Sequence, residues 1–174
     1  RNVHGHRSKE LSPGLTYTPP FRPRCPVLWP PTKFPASGLE IPTAVAAHLS
    51  DGFLQLGIPY RVAIAPVGDK DLAGYWKVML HDRTSNTPVS LNQVGYGVSQ
   101  VLPIVGNVLG LHDQTILIQQ PERHLHPKLQ AELGSVLVTG MQQNRNQMIV
   151  ETHSEALLLR LRRLIRWGQL KPDE

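Results

Sequence analysis

Three short groups of residues have the types and spacing that phosphate chemistry requires. Gly95, Gly97 and Ser99 stand just before an apolar segment, and glycines ahead of a helix let its free first-turn amides approach an anion. Gln119 ends a second apolar run, where a polar side chain can serve Mg²⁺ or water. His153 follows a third run and can donate a hydrogen bond to a phosphate. The pattern predicts a nucleotide-phosphate site if the fold brings the three groups together.

Each group also has a simpler interpretation when it is taken alone. The two glycines then make only a turn, and Ser99 caps the helix that follows. His153 is then a structural histidine. The order of all three groups along one chain favours the phosphate interpretation over these alternatives.

Alternating strands and helices are predicted to position these groups. Thr115–Gln119 and Gln147–Glu151 are short apolar runs typical of buried strands, and residues 127–141 and 154–167 have helical apolar spacing. Strand, helix, strand, helix implies a parallel sheet, in which functional side chains gather at the carboxyl ends of the strands. Residues 100–110 are predicted to form a buried helix that accepts a proline in its first turn.

A helix and a hairpin are predicted upstream of these elements. Between Pro42 and Gly57, apolar residues recur at helical spacing. They are Val45, Leu49, Phe53, Leu54 and Leu56. Residues 60–67 and 74–81 are rich in β-branched and aromatic residues and flank the turn-forming residues 68–71, which indicates a β-hairpin.

Composition separates a basic leader from a neutral body. The chain has 174 residues, 40% of them hydrophobic, which is enough for one domain with a sizeable core. Residues 1–38 hold six basic residues, one acidic residue and half of the 16 prolines, which leaves 12 basic and 12 acidic residues in the remainder. The leader must be extended, and it is either a connector or an arm that contacts phosphates. The neutral body argues only weakly for nucleic-acid binding.

Cysteine content and hydropathy bear on the compartment. Cys25 is the sole cysteine, so an intramolecular disulfide and a multi-cysteine zinc site are both excluded. No apolar run approaches the roughly 18–20 residues that a membrane span needs, and the N-terminal sequence lacks a signal-peptide core. We therefore expect a cytoplasmic protein with no membrane partner.

Taken together, the three groups resemble the ABC-type ATPase heads of the SMC/RecF/OLD-like group, and within it the bacterial AAA-family ATPases with a DUF3696 domain. Residues 95–104, GYGVSQVLPI, are similar to the ABC signature of that group. Residues 115–127, TILIQQPERHLHP, are similar to its Walker B motif and D-loop. Residues 150–155, VETHSE, are similar to its switch-histidine motif, and the resemblance extends over residues 88–170.

The resemblance implies an α/β fold, namely the C-terminal lobe of an ABC-type P-loop NTPase head, with a parallel sheet, flanking helices and a β-hairpin region. It implies three regions: an extended segment at 1–38, a helix and hairpin insert at 39–94, and the signature, Walker B and switch lobe at 95–174. It also implies ATP and Mg²⁺ as cofactors, and a second ATPase head, in a homodimer or a higher oligomer, as partner.

Roles for single residues follow by position in those motifs. Gln119 takes the magnesium-associated Walker B place, Gln120 the catalytic place, and His153 the switch place. The residues expected to contact a nucleotide are Gly95, Gly97, Ser99, Gln100 and the D-loop residue His126. The first four would contact the γ-phosphate of a nucleotide bound by the opposite protomer.

Two departures from the family pattern bear on activity. The family usually has Glu where this chain has Gln119, and an amide oxygen is a weaker ligand for a hard cation than a carboxylate. Gln120 orients water but cannot accept its proton. No G-x-x-x-x-G-K-[ST] motif occurs in the chain, so we expect it to be inactive alone and to need an N-terminal Walker A lobe. The parent is expected to be an ATPase in antiphage defence or DNA maintenance, acting on an effector protein or DNA.

Three alternatives remain open at this point. A degenerate, non-catalytic pseudo-ATPase would have the same motifs. The pairs His124-x-His126 and His4-x-His6 suggest a metal site, although no third ligand is evident. Four arginines on the last predicted helix suggest a docking or nucleic-acid module, against the simpler interpretation of a solvated helix face. They are Arg160, Arg162, Arg163 and Arg166.

Overall fold

A computed structural model describes the backbone of residues 15–18, 28–29, 40–67 and 76–172, and the side chains of residues 44–67 and 76–172. These residues form two small sheets and the helices that pack on them. The elements in chain order are β1 (Leu15–Thr18), β2 (Leu28–Trp29), α1 (Glu40–Gln55), β3 (Tyr60–Pro66), β4 (Trp76–Asp82), β5 (Pro88–Ser90), α2 (Tyr96–Gly110), β6 (Thr115–Gln119), α3 (Pro127–Asn144), β7 (Gln147–Glu151) and α4 (Glu155–Arg166).

The first sheet is parallel and has the strand order β1-β6-β7. β6 and β7 have the predicted bounds, so the parallel pairing inferred from alternating strands and helices is confirmed. Side chains alternate between the two faces: Ile116 and Ile118 are buried in the core, whereas Ile149 on the other face is 64% exposed. The described residues therefore cover one face of this sheet and leave the other open.

The second sheet is antiparallel, with the order β2-β4-β3 and β5 beside β4. β3 and β4 pair along their whole lengths, from Tyr60 opposite Asp82 to Pro66 opposite Trp76, which confirms the predicted hairpin strands. The predicted turn at 68–71 lies outside the described residues. Val78 and Leu80 of β4 are fully buried, and α1 packs on the neighbouring strand β3, so that helix covers this sheet.

Helix α1 follows the predicted apolar spacing with one exception. Leu49, Phe53 and Leu56 are almost fully buried, and the chain leaves the helix through Gly57 at a φ of 72°. Leu54 was predicted to share this apolar face, and that prediction is wrong, since its side chain is 58% exposed. Its position directly after Phe53 turns it away from the core, because neighbouring helical residues point in different directions.

Helix α2 begins earlier than predicted. It starts at Tyr96 rather than at residue 100, so Pro103 lies inside the helix and not in its first turn. A proline there removes one internal hydrogen bond, a cost that burial offsets, since Ile104, Val105 and Val108 are fully buried. The predicted Pro103 position is therefore wrong, although the predicted buried helix is correct.

Helices α2 and α3 approach each other at a glycine. A Cβ on Gly140 of α3 would overlap the Val108 side chain and carbonyl of α2, so only glycine allows this contact. Beyond it, buried Asn144 and Asn146 donate to the carbonyls at the end of α2: Val108, Leu109 and Leu111. These bonds satisfy acceptors that the end of a helix leaves without internal partners. α3 therefore extends three residues past the predicted end at 141.

Part of the leader is built into both sheets. β1 pairs in parallel with β6, placing Leu15 opposite Thr115, and β2 pairs with β4. The expectation of a purely connecting or phosphate-contacting leader is thus corrected for these six residues, which are strands at sheet edges. Cys25, His4 and His6 lie outside the described residues, and the boundaries at 38/39 and 94/95 stay predictions. None of the described helices is long and apolar enough to cross a bilayer.

Candidate functional site

The carboxyl ends of β6 and β7 lie side by side. Gln119 is opposite Glu151 in the strand register, and its Nε2 donates a 2.7 Å hydrogen bond to Glu151 Oε2. The Gln120 amide donates to the Glu151 carbonyl at 2.8 Å, which continues the pairing one residue beyond the strand. We call residues 120–126 the β6 loop and residues 152–154 the β7 loop. The predicted Walker B and switch groups therefore share one edge of the sheet.

Glu122 joins the two loops. Its Oε2 accepts a hydrogen bond from Thr152 Oγ1 and its Oε1 accepts one from the His153 amide, each at 2.8 Å. Hydrogen bonds to a carboxylate are stronger than those between neutral groups, so this pair fixes the β7 loop against the β6 loop. Sequence reasoning gave Glu122 no role of its own. The available signal was an acidic residue three positions after the strand that ends at Gln119.

Ser154 extends this network to α3 and α4. Its Oγ accepts from the Leu157 amide at 3.0 Å, which makes Ser154 the N-cap of α4, and donates to Gln130 Oε1 at 2.6 Å. Gln130 Nε2 in turn donates to the Leu125 carbonyl in the β6 loop at 2.9 Å. The Ser154 amide donates to Thr152 Oγ1 at 3.0 Å. Both loops are thus tied to the start of the helices that follow them.

The His153 ring is exposed at the edge of this network. Its backbone amide is held by Glu122, while no hydrogen bond to its ring is formed by any residue in the described part of the chain. The simpler interpretation of His153 as a structural histidine thus has no ring hydrogen bond to support it in this part of the chain, and the switch role of His153 stays a prediction. The imidazole is placed to donate a hydrogen bond to a group that approaches from outside.

The signature residues form the start of α2 and not a loop before it. Gly95 is the N-cap, with a φ of −56° and a ψ of 144°, and makes no side-chain cap bond. Ser99 lies inside the helix, is 1% exposed, and donates from Oγ to the Tyr96 carbonyl at 2.8 Å. The simpler interpretation of Ser99 as the helix cap is therefore wrong. Gln100 is buried as well, whereas Gly95 and Tyr96 are exposed.

Gly97 brings the signature helix against the β6 loop. A Cβ at this position would overlap the His124 carbonyl oxygen, and it would lie 3.2 Å from the Leu125 side chain. The Tyr96 and His124 rings meet edge to face with their centroids 4.8 Å apart. All three predicted groups are therefore linked within one chain: Gly97 contacts the β6 loop, and Glu122 of that loop holds the β7 loop.

The β6 loop has a tightly wound backbone. Gln120 and His124 both have left-handed conformations, with φ of 45° and 63°. Such conformations cost energy for residues other than glycine and occur often at binding sites. His126 ends the loop as the N-cap of α3, where its Nδ1 accepts from the Lys128 amide at 3.3 Å. His126 therefore has a capping role, and its predicted contact with a nucleotide stays a prediction.

The donor set at this edge suits Mg²⁺ only in part. Mg²⁺ in nucleotide sites is bound by one or two carboxylates together with water and substrate phosphates. Gln119 offers an amide, and exposed Glu151 beside it offers a carboxylate. A shallow pocket of about 270 Å³ borders both residues on the open face of the sheet. These residues therefore supply one carboxylate for a Mg²⁺ ion, and nucleotide phosphates and water would supply its remaining ligands.

The remaining alternatives fare differently. Arg160 has partners within the chain, since it donates to Ser135 Oγ at 2.8 Å and pairs with Glu132 at 3.4 Å. Arg162, Arg163 and Arg166 are exposed. In the part of the chain that the structure describes, no group of three His, Cys, Asp or Glu side chains is arranged to bind a metal, and this part includes His124 and His126.

The fold is similar to that of several SMC ATPase heads. A crystal structure of an Smc head bound to the C-winged helix domain of ScpA aligns over 70% of this chain and 38% of its own, with a TM-score of 0.57 and 10% identity. A structure from work on ATP-driven dimerization and DNA-stimulated activation of SMC ATPases aligns over 70% of this chain and 74% of its own, with a TM-score of 0.53 and 11% identity. A Pyrococcus furiosus Smc head with an extended coiled coil aligns over 68% of this chain and 30% of its own, with a TM-score of 0.50 and 10% identity.

These alignments establish the fold, and they show how much of a head the chain contains. As predicted, the chain has an α/β fold like that of part of an ATPase head, and it spans 38% of the length of the first of those heads. No curated protein sequence matches the chain. The profile of the family AAA_21, described as "AAA domain, putative AbiEii toxin, Type IV TA system", matches residues 31–160, which include all three linked groups. The chain therefore belongs to the AAA_21 family of ATPase-type domains.

Proposed function

We propose that this chain is the signature-bearing lobe of a cytoplasmic ABC-type ATPase head, and that it completes a composite ATP site when two heads dimerise. One observation carries the proposal: Gly97 contacts the β6 loop at His124, and Glu122 of that loop holds the His153 amide at 2.8 Å. These contacts join three motif groups that are separated along the chain. A site that binds a phosphate across a dimer interface needs its hydrogen-bond donors in fixed positions.

The two ends of the joined edge have different roles in this proposal. Gly95 and Gly97 at the start of α2 face the γ-phosphate of a nucleotide bound by the opposite head, where the helix dipole favours an anion. Exposed Gly95 is better placed for this contact than Ser99 or Gln100, since both of those are buried. The hydroxyl of Ser99 supports the helix start through Tyr96.

The other end serves the nucleotide bound by the same head. Gln119 lies at the magnesium side, Gln120 orients the attacking water, and His153 donates a hydrogen bond to the γ-phosphate. Because neither glutamine accepts a proton, we infer that hydrolysis is slow. The same two residues favour the second candidate function, in which the head binds ATP to dimerise and does not hydrolyse it.

A lobe with a phosphate-binding loop is the first partner in this proposal. The open face of the parallel sheet exposes 64% of Ile149, next to half-buried Leu117. Apolar side chains on a sheet face are normally covered by another layer. We propose that the Walker A lobe supplies that layer and the loop that cradles the phosphates.

The wider biological role is proposed from relatives. One Smc head was crystallised with ScpA, and another study concerns DNA-stimulated activation of SMC ATPases. The AAA_21 description names a toxin of a type IV toxin–antitoxin system. These relatives support a head that passes its nucleotide state to an effector protein or to DNA, in antiphage defence or DNA maintenance.

The proposal is tested on the parent protein with its phosphate-loop lobe by comparing wild type with Gln119→Glu. ATP-dependent dimerisation is measured by light scattering and turnover by phosphate release. We expect both proteins to dimerise with ATP and the substitution to increase turnover, because it restores a carboxylate near the cation. Dimerisation with unchanged, negligible turnover supports the non-catalytic candidate, and no ATP-dependent dimerisation in either protein rejects both functions.

A further inference from the structure

Two carboxylates stand at the shared edge of β6 and β7, and their surroundings differ. Both oxygens of Glu122 accept hydrogen bonds, from Thr152 Oγ1 and from the His153 amide. These bonds hold the two loops together. Glu122 therefore already has a structural role, with one hydrogen bond from the β7 loop on each of its oxygens.

Only one of the two carboxylate oxygens of Glu151 accepts a hydrogen bond from the described residues. Its Oε2 accepts from Gln119 Nε2 at 2.7 Å, while its Oε1 has no hydrogen-bond partner among the residues that the structure describes. The side chain is exposed and borders the shallow pocket beside Gln119. Glu151 therefore presents an available negative charge at the place where the motif resemblance put Gln119 as the metal-associated residue.

The backbone of Glu151 is held firmly. The residue is the last of β7, is in register with Gln119, and accepts the Gln120 amide at its carbonyl at 2.8 Å. A side chain on a strand end is positioned more accurately than one on a loop, which favours precise metal binding.

The orientation of Gln119 shows what its amide does. The nitrogen faces Glu151, so Gln119 acts there as a hydrogen-bond donor that holds the carboxylate. A carboxylate at position 119 would instead repel Glu151 unless a cation or a proton lay between them.

We propose that Glu151 is the carboxylate that binds the Mg²⁺ of the ATP site and that Gln119 is its positioning residue, an inference that rests on the proposed function. One carboxylate with water and nucleotide phosphates is an ordinary ligand set for Mg²⁺. Glu151 thereby supplies the charge that the amide at position 119 lacks.

Manganese(II) chloride provides a direct test on the ¹⁵N-labelled chain, since this paramagnetic ion broadens the amide signals near its site. We expect the signals of Gln119 and of residues 150–152 to broaden first. Glu151→Gln still accepts a hydrogen bond from Gln119. This substitution should raise the Mn²⁺ concentration that broadens these signals by at least about tenfold. Gln119→Glu should lower it, because a second carboxylate joins the first.

Glu155→Gln is the matched control. Glu155 is also an exposed glutamate, four residues away in the first turn of α4, so its loss should leave the broadening near Gln119 unchanged. The proposal is overturned if Glu151→Gln leaves that broadening unchanged, if Glu155→Gln reduces it as much as Glu151→Gln does, or if no broadening occurs near Glu151. This measurement needs neither ATP nor a second head, so its failure is distinct from failure of the proposed function.

Discussion

At the scale of single residues, Glu122 is the side chain on which the site geometry depends most. It is only partly buried, yet both oxygens are engaged by the β7 loop. Removing it leaves the Thr152 hydroxyl and the His153 amide without their acceptor. The position of the His153 ring then depends on the remaining Ser154 bonds alone.

Glu122→Ala is therefore expected to loosen the β7 loop. We expect the free energy of unfolding to fall by about 2 kcal/mol, because hydrogen bonds to a charged group are lost. Amide hydrogen exchange at His153 should become much faster, while exchange in β6 stays slow. Urea denaturation and exchange measured by NMR check both effects.

Glu122→Gln is the conservative control, since it keeps one acceptor oxygen and should show an intermediate effect. Unchanged exchange at His153 in Glu122→Ala would contradict a holding role for Glu122.

Gly97 allows a close approach that no other residue permits. Gly97→Ala should cost about 1–3 kcal/mol of stability, since the new Cβ meets the His124 backbone and one segment must move. Gly110→Ala, at the other end of α2, meets nothing within 4 Å and should be neutral or stabilising by up to about 1 kcal/mol. Urea midpoints for the two variants should therefore differ clearly. Equal midpoints would mean that the signature helix does not press on the β6 loop.

The sequence predicted which residues lie at the candidate site more accurately than it predicted the contacts of those residues. Gln119 and His153 could be placed because each follows an apolar strand, and strand ends are a local signal. The roles of Glu122 and Glu151 could not be found, because each depends on which groups the neighbouring loop brings within hydrogen-bond distance. The burial of Ser99 was missed for the same reason.

At the scale of elements, the packing of α2 on α3 keeps the signature end and the β6 loop in one body. Gly140 lies where α3 crosses α2 at Val108, and the bonds from Asn144 and Asn146 lock the end of α2 nearby. α2 begins at Tyr96, beside the predicted signature glycines, and α3 begins at Pro127, directly after the β6 loop. Their crossing therefore sets the distance between two of the three linked groups.

Gly140→Ala should disturb this crossing. Its Cβ would overlap both the side chain and the backbone of Val108, and overpacking of this kind costs about 1–3 kcal/mol. Gly134→Ala in the same helix is the control, since its Cβ would come no closer than 3.3 Å to any neighbour, whereas the Gly140 Cβ would overlap Val108. Thermal unfolding of both variants provides the comparison. A similar melting temperature for the two would contradict the close crossing.

The limits of each element were predictable where the signal was local. β6 and β7 are short apolar runs ended by polar residues, and their bounds matched. The start of α2 was placed four residues late, because its two glycines are typical of a turn. Gly97 is helical and packs against His124, a residue 27 positions away, and no local sequence pattern indicates that contact. The pairing of β1 with β6 is non-local in the same way.

At the scale of the whole molecule, the proposal makes this chain one side of a phosphate site, and the described residues leave one face of the parallel sheet open. The α/β lobe, with its parallel sheet, resembles SMC heads at a TM-score of 0.57, and the AAA_21 profile covers residues 31–160. Ile149 on the open face and Gly95 at the exposed helix start point to two separate contacts with other protein segments. The central claim is that the helix start at Gly95 contacts a nucleotide bound by the opposite head.

Gly95 allows this claim to be tested by charge alone. A Cβ there meets nothing within 4 Å, and its φ of −56° is ordinary for any residue. Asp and Asn are equally good helix N-caps, so Gly95→Asp and Gly95→Asn should both fold. Only the aspartate places a negative charge where the γ-phosphate of the opposite head would lie.

The most direct measurement is sedimentation velocity of the parent protein carrying each variant, with ATP and Mg²⁺. The account predicts that Gly95→Asn dimerises with ATP as wild type does, while Gly95→Asp remains monomeric or dimerises at least about tenfold more weakly. Equal ATP-dependent dimerisation of the two variants would contradict a nucleotide phosphate bound at this helix start.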